Sequence, residues 1–299
     1  AGVLAACSTP DDLEGAAPRE GGEVELPGGR MARIHVTLMP TPDPAVIDPQ
    51  LDLRARFAAY RGLDDDFVRA RLGLGPLPGA RIGVGSCMLA DLLDATVDAS
   101  EARPASGDHE LLLLDGGNLL ARLGDLDLEV PLVLVPDLLP YMSGVEYELQ
   151  LGALPSVFVA DERSQLVLEF AGSGDEELPP LRLEARLPPP IDLRTEPTLD
   201  PSLIDLSWRA VGQGALLLRF AATQGGELLG DEIACAVVDR GATRFDLDEL
   251  RRLGLGLGGT NDGLRITATR TAATTFESGE FIGGELIVDL RESVFVTTP

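Results

Sequence analysis

The sequence predicts an all-β protein: two β-sandwich domains in series behind a disordered N-terminal tether. Three observations carry this. From Met31 onward, short apolar runs are broken by Gly, Pro, Asp and Asn, the punctuation of many strands joined by tight turns. Several runs alternate strictly, as in Leu181–Leu187, where odd positions are apolar and even ones charged, the period of a half-buried strand. Three consecutive prolines, Pro188–Pro190, cannot donate to a sheet and form a stiff extended spacer, which places the junction there. A chain of 299 residues suits two domains, each large enough to bury a core. The hydrophobic fraction is 44% and is spread in short runs, so no segment is apolar enough to span a bilayer.

Taken in order, residues 1–6 read as the tail of a lipoprotein signal peptide and Leu4-Ala5-Ala6-Cys7 as its lipobox. Cys7 is therefore the expected lipidation site and first mature residue. Residues 7–29, rich in Pro, Gly, Glu and Ala without apolar period, should be a flexible tether. Ser8 at the second mature position resembles the pattern sorted to the outer membrane. The expected location is thus the outer membrane or cell surface, with the lipid holding the protein to the membrane.

The first body domain spans 30–188. Its expected strands are Ala32–Met39, Leu51–Tyr60, Ala80–Met88, Leu111–Leu114, Leu119–Leu123, Leu126–Val135, Tyr147–Leu151, Leu166–Phe170 and Leu181–Leu187. Asp115-Gly116-Gly117-Asn118 reads as a hairpin loop of residues that tolerate positive φ. Asp64–Leu72, opened by acids, is a short helical turn. The second domain spans 191–299, with strands Ile204–Trp208, Ala215–Phe220, Glu232–Val238, Thr243–Leu247, Leu264–Thr271 and Glu285–Val296. Asp246–Gly254 is its helical turn, with acids first, Arg last and Gly as the C-cap.

Asp205-Leu206-Ser207-Trp208, followed by Leu216–Phe220, resembles the start of a fibronectin type III or immunoglobulin-like sandwich, with Trp208 as core anchor. The corner tyrosine of that family is replaced by the Leu-rich helical turn. Most of the chain also resembles the surface lipoproteins of myxobacteria and their relatives, through the lipobox, Leu114-Asp115-Gly116-Gly117 and Cys235 on a middle strand. The resemblance implies a second sandwich and an envelope location, and carries no activity with it.

Charge excludes one class of partner. The formal charge is −25, all 24 basic residues are Arg, and 49 acids are dispersed along the chain, so the field should repel nucleic acid. Of the three cysteines, Cys87 and Cys235 are left once Cys7 carries lipid; they can pair in an oxidising compartment or stay as buried small hydrophobes. The two histidines, His35 in a strand and His109 beside a turn, sit in no metal or triad spacing. Gly83-Val84-Gly85-Ser86-Cys87 lacks the first Gly of a nucleophile elbow. Gly254–Gly259 follows a helical turn and precedes a strand, the reverse of a phosphate loop. Asp64–Asp66 and Asp125–Glu129 are the densest acid sets, and neither has calcium-loop spacing. No catalytic residue, metal ligand or cofactor is therefore expected. The expected function is a non-catalytic binding or assembly module with an envelope protein or glycan as partner; the alternatives are a carboxylate-dependent hydrolase and a calcium-stabilised structural protein.

Overall fold

The computed structural model describes residues 28–39, 50–74, 81–94, 109–139, 142–154, 164–173, 178–212, 214–224, 227–257, 262–277 and 283–297. The lipobox, Cys7 and nearly all of the expected tether lie outside them. Among the described residues 62% are in strands and 9% in helices, so the class is all-β. The strands are β1 (Gly28–Leu38), β2 (Leu51–Arg61), β3 (Cys87–Leu89), β4 (Glu110–Leu113), β5 (Leu119–Leu123), β6 (Leu126–Val130), β7 (Leu132–Leu139), β8 (Met142–Leu151) and β9 (Gln165–Phe170). They continue as β10 (Leu181–Arg186), β11 (Arg194–Glu196), β12 (Leu203–Ser207), β13 (Ala215–Gln224), β14 (Glu227–Val238), β15 (Ala242–Asp246), β16 (Asp262–Phe276) and β17 (Gly284–Thr297). The helices are short: α1 (Asp65–Leu72), α2 (Ala90–Asp94) and α3 (Leu247–Arg252).

A ten-stranded sheet in the order β3-β14-β13-β16-β17-β1-β2-β4-β8-β7 is the backbone of the molecule. A four-stranded sheet, β10-β9-β5-β6, and a three-stranded sheet, β11-β12-β15, complete the strand architecture. Period 2 explains the layers. On β1, Ile34, Val36 and Leu38 enter one continuous core with Leu119 and Leu168 of the four-stranded sheet and with Ile204 and Leu206 of the three-stranded one. The opposite face is covered locally, by α1 over Met31, Ala58 and Leu113, and by α2 over Leu217, Ala234 and Ala236. Asp64 caps α1 by accepting from the Asp66 amide, and Gly73 ends it in the left-handed region.

Strands from either side of Pro188–Pro190 share the large sheet. β1 runs parallel to β17, from Ala32 opposite Gly284 to Leu38 opposite Leu290, while β2 flanks β1 on its other side. Gly28 and Gly29, at the expected end of the tether, already pair with Arg61 and Tyr60 in β1–β2. The proline run is itself held. The Arg270 guanidinium donates to the carbonyls of Pro189 and Pro190, to Arg209 O and to both carboxylate oxygens of Asp239. Asp239 also accepts from the indole N–H of buried Trp208 at 2.7 Å. Just beyond, the Glu292 carboxylate takes the amides of Ile191 and Leu193.

Three local expectations are corrected. Leu126–Val135 is not one strand: the chain turns at Pro131, leaving β6 at the edge of the four-stranded sheet and starting β7 at the edge of the ten-stranded one. Proline supplies no N–H to continue a ladder, which is why the crossing falls there. Asp115–Asn118 is not a hairpin loop, because β4 and β5 belong to different sheets; it is an arch between layers. Of the described part of Ala80–Met88 only Cys87 and Met88 are in a strand, β3, preceded by turns. The two cysteines form a disulfide, Cys87–Cys235, with Cα atoms 4.1 Å apart. They lie directly opposite in the β3–β14 register, flanked by the bonds Ala236 N→Ser86 O and Gly85 N→Ala236 O. The cysteines thus occupy the close, non-hydrogen-bonded position of an antiparallel pair.

Candidate functional site: a cleft between two sheet edges

Because the chain leaves one sheet at β6 and enters another at β7, the two edges diverge from Pro131 and, among the described residues, leave that side of the sandwich open. A cleft of about 540 Å³ sits in the opening, lined by the 117–118 turn, Leu119 and Leu120 of β5, Glu129 and Val130 of β6, Pro131, Leu132 of β7, and Tyr147 and Leu149 of β8. Its floor is built from the core outward. Tyr147 is buried against Phe57 and Phe170 in edge-to-face contacts, with ring centroids 6.3 and 5.7 Å away. Its hydroxyl donates to Gly117 O at 2.5 Å and accepts from Gly116 N at 2.8 Å, which fixes the arch beside the cleft. Burial pushes the phenol pKa upward, so the group is a neutral anchor.

The wall on the β7 side is apolar and open. Leu132 and Leu134 are 41% and 80% exposed, and Val133 is 37% exposed. Leu132 lies opposite Tyr147 and Leu134 opposite Val145, so both point to the cleft face; Val133, opposite Glu146, points to the other. Glu146 is engaged by Arg56 Nε at 2.5 Å. Glu129, exposed on β6, is the only charged group among the lining residues.

A second polar arrangement lies on the face of the large sheet that also carries α1. The Asp289 carboxylate, 6% exposed, lies 2.9 Å from His35 Nε2 through Oδ2 and accepts from the Thr271 hydroxyl through Oδ1 at 2.5 Å. Burial alone would raise the Asp289 pKa, but His35, Thr271 and the Arg291 guanidinium outweigh it and hold the carboxyl below its ordinary value. The carboxylate stands between imidazole and hydroxyl, so Thr271 is hydrogen-bonded to the acid and not to the base; a nucleophile triad has the reverse order. Arg33 lies nearby, and burial lowers its pKa.

The remaining residues singled out in the sequence have local roles. Asp64 caps α1 and Asp65 accepts from the Tyr60 hydroxyl at 2.5 Å. Asp127 binds Arg122 Nε at 2.7 Å across the β5–β6 hairpin. His109 directly precedes β4, far in sequence from His35 and in a separate strand pair. No group of three or more His, Cys, Asp or Glu with metal-binding geometry occurs among the described residues. No helix among them is long and apolar enough to cross a membrane. The sequence conceals the cleft, because its two edges follow each other as one apolar run; Pro131 inside that run is the signal that separates them. His35–Asp289 and Arg270–Asp239 join residues 254 and 31 positions apart, and no local pattern marks either pair.

Comparison with known proteins adds no relative: no family model matches the chain, and no curated protein is similar to it.

Proposed function

We propose that this chain is a lipid-anchored protein of the cell envelope whose β-sandwich body is a non-catalytic binding or assembly module. The observation that carries the reading is the open side of the sandwich, where a cleft and an apolar strand edge stand exposed together on an otherwise well-covered core. The Leu4–Cys7 lipobox supports the anchor, and the Cys87–Cys235 disulfide supports folding in an oxidising compartment. The resemblance of residues 191–299 to fibronectin type III or immunoglobulin-like sandwiches is part of the same reading, supported by the burial of Trp208. Envelope proteins and glycans are the partner classes such a module would meet. Two acyl chains at about 0.8 kcal/mol per buried CH₂ suffice for stable anchoring, and a chain at −25 adds no attraction to an anionic surface.

The test is paired. Cys7→Ser should move the protein from the membrane to the soluble fraction and abolish incorporation of labelled fatty acid. Crosslinking of the full-length lipoprotein in its own envelope should enrich a discrete partner. A Cys7→Ser protein that stays with the membrane would overturn the anchor. No enriched partner, together with substrate turnover abolished by a single Asp or Glu substitution, would replace the module by an enzyme.

A further inference from the structure

The β7 edge carries an inference that rests on the binding-module reading and deepens it. Pro131 O accepts from Glu148 N, so residue 131 occupies a hydrogen-bonded position of the antiparallel β7–β8 ladder. In such a ladder alternate residues turn their N–H and C=O to the partner and the intervening ones turn them away. Val133 therefore bonds toward β8, and Leu132 and Leu134 present their amides and carbonyls to the free side. Among the described residues β7 is the last strand of its sheet, with β8 as its only neighbour in the strand order. The ladder becomes irregular after Val135, where Pro136 has no N–H to offer. The edge is thus a short window between two prolines, with four backbone groups that no described residue partners and two exposed leucine side chains on the face that holds the cleft. Natural edges are blunted by lysine, inward charge, proline or bulges; here the prolines and an irregularity of the ladder after Val135 bound the window, while Leu132-Val133-Leu134-Val135 itself carries no charge.

We propose that this window is a strand-addition site: an extended segment of a partner pairs with Leu132–Leu134 as an eleventh strand of the large sheet and sets an apolar side chain into the cleft over Tyr147 and Leu149. Charge selects the occupant. The chain carries −25 and contains no lysine, and exposed Glu129 is the one charged residue lining the cleft. A second copy brings the same charge to the contact and is disfavoured. The segment that fits alternates apolar residues with Arg or Lys, its apolar side facing the cleft and its cations complementing the net negative charge of the chain.

The probe is a synthetic peptide alternating Val or Leu with Arg, titrated into the full-length protein by fluorescence anisotropy. Controls are the same peptide with Glu in place of Arg, and one N-methylated at the residues that face the edge. The basic peptide should bind and weaken as salt rises, and both controls should bind at least about tenfold more weakly. Leu134→Pro removes one outward N–H and should weaken binding to a similar degree; Leu134→Arg, at an exposed position that empties no core, should do the same by charge. Thermal melting verifies that both variants remain folded. Equal binding of the N-methylated peptide, or of either variant, overturns strand addition; tighter binding of the acidic peptide overturns the charge assignment. A monomer–dimer equilibrium abolished by Leu134→Pro makes a second copy the occupant and overturns the proposal. A photo-crosslinker is placed at Leu134 and, separately, at exposed Leu199 in the lipoprotein in its envelope. A partner captured only from Leu199 sinks this site while the module reading stands; capture from Leu134 of a partner that the basic peptide displaces supports both.

Discussion

At the scale of residues, the strongest local commitment is the buried pair Arg270–Asp239, with side chains 7% and 3% exposed. All of the Arg270 nitrogens have acceptors, and Asp239 also serves Trp208, so removing either member strands a charge inside the protein. Asp239→Ala and Arg270→Ala should each lower the free energy of unfolding by about 3–5 kcal/mol in urea titration. The double variant should lose clearly less than the sum, because the second deletion removes a charge that the first left unpaired. Asp289 makes a prediction in pH. A carboxyl whose folded pKa lies below its unfolded value of about 3.9 contributes stability that is fully present above that pH and is lost as pH falls through the folded value. Asp289→Asn should therefore flatten the acid limb of stability against pH below about pH 4. These residues are not legible in the sequence. A polar residue at a core-facing or sheet-centre position is visible only once its partner is known, and these partners come from other strands.

At the scale of elements, much is legible, because period 2 and turn residues act over a few positions. The helix opened by Asp64 and the one opened by Asp246 begin where acids accept first-turn amides, from Asp66 in α1 and from Asp248 in α3. Local pattern leaves open which strands are neighbours. β3 has three residues and is fastened to β14 by Cys87–Cys235, which closes a separation of 148 residues. Cys87→Ser should lower stability by about 2–5 kcal/mol, and reductant should reproduce that loss in the native protein while doing nothing further to the variant. The arch at Asp115–Asn118 depends on Gly117, at φ 75°, where an added Cβ would lie 2.3 Å from Gly172 O. Gly117→Ala should shift the melting temperature downward by several degrees, and no shift would mean that the arch is free to relax.

At the scale of the whole molecule, the pairing of β1 with β17 makes the first and last described strands neighbours in one sheet. Their side chains enter the same core as β5, β9 and β12, so the two halves on either side of Pro188–Pro190 should unfold together. Calorimetry of the full chain should give a single transition whose calorimetric and van't Hoff enthalpies agree. Two resolved transitions would show that the halves fold independently. The class, the positions of most strands and the charge of the surface follow from the chain as written, because alternation, turn chemistry and ionisation are properties of neighbouring residues. The sheet order, the disulfide, the buried ion pairs and the open edge at β7 come into being only on folding. Each of these needs residues far apart in the chain to meet, and their meeting is fixed by burial of a shared core and satisfaction of the backbone ladders rather than by any local pattern.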